Sequence, residues 1–175
     1  PAIRKGLQEA PPGEVLVRVL VDTNVVLDVL LNRQPFADAA SQVFALVEES
    51  KIEGFLCATT ITTVDYLLGQ ALAPEKARGA LQRLLGLFEI APVNRSVLEH
   101  ALRSKIADFE DAVLEQAGCL AGVDAITTRN VSDFRKSTVT VFDPTELIAA
   151  VKGMNSANQR PNRTVAPRGR GATSG

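Results

Sequence analysis

The chain has 175 residues, 46% hydrophobic and 22% charged, with a formal net charge of −1. Such totals suit one soluble globular domain with a sizeable core, and the apolar runs, broken at Arg18, Asp22 and Asn24, fall far short of the roughly 20 residues a membrane span needs. No Trp and a single Tyr make the core aliphatic and leave few aromatic platforms for stacking bases.

Residues 1–14, which include Ala10-Pro11-Pro12-Gly13, read as a flexible lead-in. The chain opens on Pro1 without a Met, and no charged-then-apolar leader is seen. Residues 15–21 are apolar and rich in Val, interrupted only by Arg18, the pattern of a parallel strand buried on both faces. The run stops at Asp22-Thr23-Asn24, and Val25, Val26, Leu27, Val29, Leu30 and Leu31 predict a mostly buried helix. A second helix is expected over 36–50, with Val43, Leu46 and Val47 inward, then a strand at 55–58. Thr59 or Thr60 is placed to cap a helix through Leu72. Pro74 suits the first turn of the next helix, whose buried stripe is Ala77, Leu81, Leu84 and Leu85.

A short strand at 88–91 is followed by Asn94 as a cap and a helix to about 104. Asp108 caps another helix that ends between Gly118 and Gly122. Strands are predicted at 125–128 and 139–142, and Asp143-Pro144 supplies cap and first position of a last helix. The domain is taken as 15–152. Beyond it, residues 153–175 carry four arginines (Arg160, Arg163, Arg168, Arg170) and no acid, so this disordered basic tail is +4 and residues 1–152 hold the remaining −5. Cys57 and Cys119 read as buried, reduced thiols of a cytosolic protein.

Strands alternating with helices predict an α/β domain with a mainly parallel sheet. In such sheets the working crevice lies beyond the carboxyl ends of the strands, where Asp22 and, after the fourth strand, Asn130 and Asp133 fall. Asp65 shares a helix face with Ile61 and Leu68, and no Lys or Arg lies between Glu53 and Glu75 to pair it. Asp111 stands in the first turn of its helix. Each acid also has an ordinary reading: Asp22 as a cap, Asp65 on a helix rolled toward water, Asp111 as a favourable charge at a helix N-terminus, Asp133 as a turn residue. Together they predict a shared pocket, with Asp22, Asp65 and Asp111 within reach of one ion. Carboxylates gathered in this way repel and are stable beside a cation; all-oxygen donors select Mg²⁺ or Mn²⁺. Thr23, Asn24, Thr128 and Asn130 are neutral groups placed to orient the acids or a water.

Rival chemistries fit less well. An aspartyl phosphatase needs an acid where Asn24 stands, a phospho-acceptor domain wants an acid beside Asp22, and the sole histidine, His100, lies mid-helix between Leu98 and Leu102. No Gly-rich phosphate loop is present.

The segments Val-Leu-Val-Asp22-Thr23-Asn24-Val-Val-Leu-Asp28, Asp108-Phe-Glu-Asp111-Ala and Thr-Thr128-Arg129-Asn130-Val-Ser-Asp133-Phe, in that order and spacing, resemble the PIN-domain ribonucleases, many of them toxins of toxin–antitoxin pairs. The resemblance spans roughly 15–151. It implies a PIN-like three-layer α/β/α fold and a Mg²⁺- or Mn²⁺-dependent endoribonuclease acting on RNA. It also implies a homodimer, an antitoxin partner, and a cytoplasmic setting without a membrane. By resemblance Asp22, Asp65, Asp111 and Asp133 are the catalytic metal ligands. Asp65 stands where the family usually has Glu, and Asn130 where it often has Asp. Asp28 and Asp108 are secondary candidates, and Arg129 and Arg135 are candidates for gripping substrate. The rival of another class is a PIN-like binding module with a weak or inactive metal site.

Overall fold

The structure is a computed structural model and describes residues 16–158; the expected lead-in at 1–14 and the tail arginines lie outside the described residues. Five strands, β1 (Val17–Val21), β2 (Ile52–Cys57), β3 (Glu89–Ala91), β4 (Ala125–Thr127) and β5 (Thr140–Phe142), form one sheet in the order β3-β2-β1-β4-β5. Every neighbouring pair is parallel. The predicted parallel α/β architecture is therefore the one observed.

Helices cover both faces. One layer gathers α1 (Thr23–Leu30), α2 (Ala37–Glu48), α3 (Ala58–Ala71), α4 (Pro74–Leu87) and α7 (Pro144–Asn158). There Val19 and Val21 of β1 pack with Val25, Val43, Val64, Leu68, Leu84 and Leu147. The other layer holds α5 (Arg95–Ala101) and α6 (Phe109–Ala121), where Leu20, Phe55 and Ile126 meet Val97, Val113 and Ala117. Alternate residues of β1 thus feed opposite cores, as the period-two strand requires. Arg18, the one charge in β1, lies opposite Glu53 in the ladder and pairs with it at 3.1 Å while its guanidinium rests on the Phe55 ring.

Three expected caps are present. Asn94 accepts from the Val97 amide, and Asp108 accepts from the amides of Glu110 and Asp111. Asp143 accepts from Thr145 and Glu146, while the Glu146 carboxylate takes the Asp143 amide, a reciprocal box around Pro144. Helix α6 closes on Gly122 with φ of 72°, a left-handed position suited to glycine.

Other expectations shift. Neither Thr59 nor Thr60 caps α3: the cap position is Cys57, without a side-chain capping bond, and the Thr60 hydroxyl instead meets that of Thr23 at 3.0 Å. Leu85 is exposed rather than part of the buried stripe of α4. Cys57 is buried and Cys119 exposed, both as free thiols; Cys119 lies on the outer side of α6, whose buried residues include Glu115, Ala117 and Gly118. Helix α7 continues to Asn158, past the expected domain limit at 152. A 3-10 turn, Val131–Phe134, which the sequence did not announce, carries Asp133. Among the described residues no helix is long and apolar enough to cross a membrane.

Candidate metal centre

The strand order reverses between β1 and β4, and the crevice beyond their carboxyl ends is where open parallel sheets place their ligands. Asp22 follows the last residue of β1, and its amide donates to the carbonyl of Thr127, the last residue of β4. Thr128 then brings its hydroxyl back to Asp22 Oδ2 at 2.6 Å, and Asn24 Nδ2 donates to the same oxygen. Asn24 Nδ2 also meets Thr128 Oγ1 at 3.0 Å, and the Asn130 amide donates to that hydroxyl at 3.0 Å. Asp22 is thus fixed at the bottom of the crevice by two of the neutral residues expected to support it. Burial pushes its carboxyl above its ordinary value; the Thr128 hydroxyl and the amides of Thr23 and Asn24 oppose the rise, and Glu110 adds to it.

Asp111 stands across from Asp22 in the first turn of α6. Its pKa is pushed up to about 6, first by burial and then by the negative charges of Asp22, Asp108, Asp133 and Glu110. The acids from the end of β1, the start of α6 and the 3-10 turn therefore share one field. Asp133 is exposed, and one of its carboxylate oxygens accepts from the Ser132 hydroxyl at 3.2 Å. Asp108 is taken up by its capping role. Glu110, which sequence reasoning quoted without assigning, is the acid it missed: it acts on both Asp22 and Asp111, and Thr63 of α3 reaches it at 3.5 Å. Its signal was its place beside Asp111 in an acidic first turn.

The structure does not draw Asp65 into this group. Its side chain is 41% exposed and lies 3.9 Å from Arg78 of α4. The absence of a nearby base in the sequence misled, because the α3–α4 hairpin folds a base back onto it. Among the described residues no three acidic, Cys or His side chains stand close enough together to hold one ion, so the expected convergence of Asp22, Asp65 and Asp111 is not met. What fits a hard divalent cation is the donor chemistry: oxygen ligands only, and neighbouring negative charges that add to burial in raising Asp111 to about 6.

Asp28 and Arg129 lie one layer deeper. Asp28 is 0% exposed, and Arg129 Nε approaches its Oδ2 at 3.1 Å. The N–H is not aimed at that oxygen, so the contact is an ion pair and not a hydrogen bond. Burial raises the Asp28 carboxyl above its ordinary value, opposed by Arg129 and Arg33. The Arg129 guanidinium lies 4.4 Å from the Phe36 ring centroid. Arg129 is thereby engaged inside the fold and not held out for substrate. Arg135 is exposed, its Nε donating to the Ser132 carbonyl at 2.8 Å.

An all-parallel sheet flanked by two helical layers, with acids at the reversal of strand order, defines an α/β protein with an acidic crevice at its switch point. The family model of the PIN domain matches residues 18–132, and the chain belongs to that family of nucleases. Its fold is similar to that of a chain in VapBC2 from Rickettsia felis bound to a DNA fragment from their promoter, with a TM-score of 0.58 and 12% identity over 73% of this chain and 98% of that one. FitAcB from Neisseria gonorrhoeae gives a TM-score of 0.56 and 22% identity, covering 73% of this chain and 98% of its own. VapC20 of Mycobacterium tuberculosis, described as a sarcin-ricin loop cleaving toxin, gives 0.54 and 17% identity, covering 70% and 98%. A comparison with curated proteins gave no match.

Proposed function

We propose that the protein is a divalent-metal-dependent endoribonuclease, and that it acts as the toxin of a toxin–antitoxin pair in the cytoplasm. The observation that carries the catalytic reading is the shared field of Asp22, Asp111 and Asp133 at the strand-order reversal. Asp22, Asp111 and Asp133 are the acids that would hold Mg²⁺ or Mn²⁺, with Asp65 turned to Arg78 and outside the set. Such an ion lowers the pKa of a bound water and neutralises charge at the phosphate.

The chain's own residues do the rest. Thr128 and Asn24 fix Asp22 Oδ2, so that carboxylate meets a ligand without rearranging. Asp111, held near 6, gives up its proton just below neutral pH and is then available as a donor. Arg135, exposed just after the 3-10 turn, and the exposed Asn130 are the polar groups proposed to meet an RNA backbone. The partner reading is supported by the fold shared with a toxin–antitoxin complex from Klebsiella pneumoniae; a small antitoxin and a homodimer are proposed with it.

A second reading is favoured by Asp65, which lies beside Arg78 and apart from the other acids: a PIN-domain binding module with a weak site. The discriminating experiment is cleavage of a mixed RNA pool with Mn²⁺, Mg²⁺ or EDTA, beside a folded Asp22→Asn variant. Cutting that needs the cation and vanishes in the variant establishes the enzyme. No cutting by either, together with no Mn²⁺ binding, establishes the module.

A further inference from the structure

Asp28 and Arg129 lie outside the acidic group: Asp28 is fully buried, Arg129 is half-buried, and the two form an ion pair inside the fold. Asp28 belongs to α1, the helix that starts immediately after Asp22. Arg129 belongs to the turn that leaves β4 immediately after Thr128. The two segments that hold Asp22 are therefore also the two joined by this pair. A further link runs beside it: the Arg129 amide donates to Asn24 Oδ1 at 3.2 Å, so the same turn fixes the amide group whose nitrogen meets Asp22 and Thr128.

The pair is chemically unusual. Both Asp28 oxygens and Arg129 Nε are buried without a hydrogen-bond partner. A carboxylate removed from water in that way is costly unless an opposite charge stays beside it. Arg129 stays there because its guanidinium lies against the Phe36 ring on one side and Asp28 on the other. Withdrawal of Arg129 toward solvent removes the larger of the two cationic influences on Asp28, leaving Arg33, so the turn after β4 is held to α1.

We propose that Asp28 and Arg129 are positioning residues: their buried ion pair holds the turn after β4 against α1 and so keeps Thr128 and Asn24 on the Asp22 carboxylate. The inference takes both residues out of the roles of metal ligand and substrate grip, and its consequence for metal binding rests on the proposed metal-dependent activity. Supports of a ligating carboxylate at one remove typically change metal affinity 10–100-fold when removed.

The test is a double variant, Asp28→Asn with Arg129→Met, which removes both charges together and strands neither. It is compared with the unaltered protein and with Arg95→Ala, an exposed charge on α5 far from the crevice in sequence. Two readouts are taken after thermal unfolding confirms folding. One is the Mn²⁺ dissociation constant; the other, in EDTA, is the NMR signal of the Asn24 side-chain amide, which lies between Asp22 and Thr128. The expected result is a Mn²⁺ affinity lowered about 10–100-fold and a displaced Asn24 signal, with Arg95→Ala unchanged in both. An unmoved Asn24 signal overturns the proposal, as does a displaced signal with unaltered Mn²⁺ affinity. If the unaltered protein binds no Mn²⁺, the metal-dependent reading fails, and the Asn24 signal alone decides whether the pair holds the turn. Should the double variant not fold, Arg129→Lys, which keeps a charge beside Asp28 but cannot lie flat on Phe36, carries the same two readouts.

Discussion

Neutralising Asp111 should make the protein more stable while disabling it. Folding raises the Asp111 pKa from 3.8 to about 6, so the folded protein holds this proton more tightly than the unfolded chain does. Its contribution to stability is then fully present below 3.8 and is lost as pH rises through 6. Above pH 7 the lost amount approaches about 3 kcal/mol, taking 1.36 kcal/mol for each pKa unit. Asp111 is only partly buried and some of the ideal value is screened, so Asp111→Asn should gain about 1–3 kcal/mol at pH 7.5 in EDTA. For a chain of this size that corresponds to roughly 3–9 °C in Tm. The assay is thermal unfolding by circular dichroism at pH 7.5 and pH 4, with EDTA and with saturating Mn²⁺. At pH 4 the gain should fall below about 1 kcal/mol, since the unaltered carboxyl is then protonated. With Mn²⁺ the order should reverse, because a ligand at 1,000 times its Kd adds about 4.1 kcal/mol to the protein that binds it. A variant no more stable than the parent at pH 7.5 in EDTA, or equally more stable at both pH values, would refute the argument that repulsion and burial hold Asp111 near 6.

Two further substitutions probe the surroundings. Thr128→Val keeps the shape but removes the hydroxyl that donates to Asp22 and accepts from Asn24 and Asn130. It should raise the Asp22 pKa further, weaken Mn²⁺ about 10–100-fold in a binding titration, and cost about 1–3 kcal/mol in urea unfolding from the unpaired groups left behind. Gly54→Ala in β2 would place a Cβ 2.7 Å from the Phe88 ring and 2.8 Å from Val47 Cγ2, and should lower stability by about 1–3 kcal/mol through overpacking, read as a lower urea midpoint.

Local rules carried much of the fold. Asn94, Asp108 and Asp143 cap their helices as expected because a cap's partners lie two or three residues ahead. The apolar run ending at Asp22 was legible because a strand buried on both faces needs no alternation. The failures are contacts made across the chain or choices of helix face. Asp65 found Arg78 on the next helix; Arg129, read as a candidate for gripping substrate, pairs inside the fold with Asp28 of α1. Cys119 was placed on the right helix but on the wrong side of it. The four-residue 3-10 turn under Asp133 is too short to leave a periodic signal. The crevice itself was legible through its position beyond the strands, while the supports beneath Asp22 were only half so: Asn24 and Thr128 were named, and the pair below them was assigned other work.

The pairing of β1 with β4 gives the crevice two unlike walls. The Asp22 amide bonds to the Thr127 carbonyl immediately beyond the matched residues Val21 and Thr127, so this acid prolongs the innermost ladder of the sheet. Backbone of that kind opens only when most of the domain does. Asp133, on an exposed 3-10 turn, belongs to the part of a fold that opens at far lower cost. One wall therefore keeps its shape for as long as the protein stays folded. The other can be reshaped by a few residues without disturbing the core, so the turn around Asp133 is where differences in what the crevice accepts can accumulate.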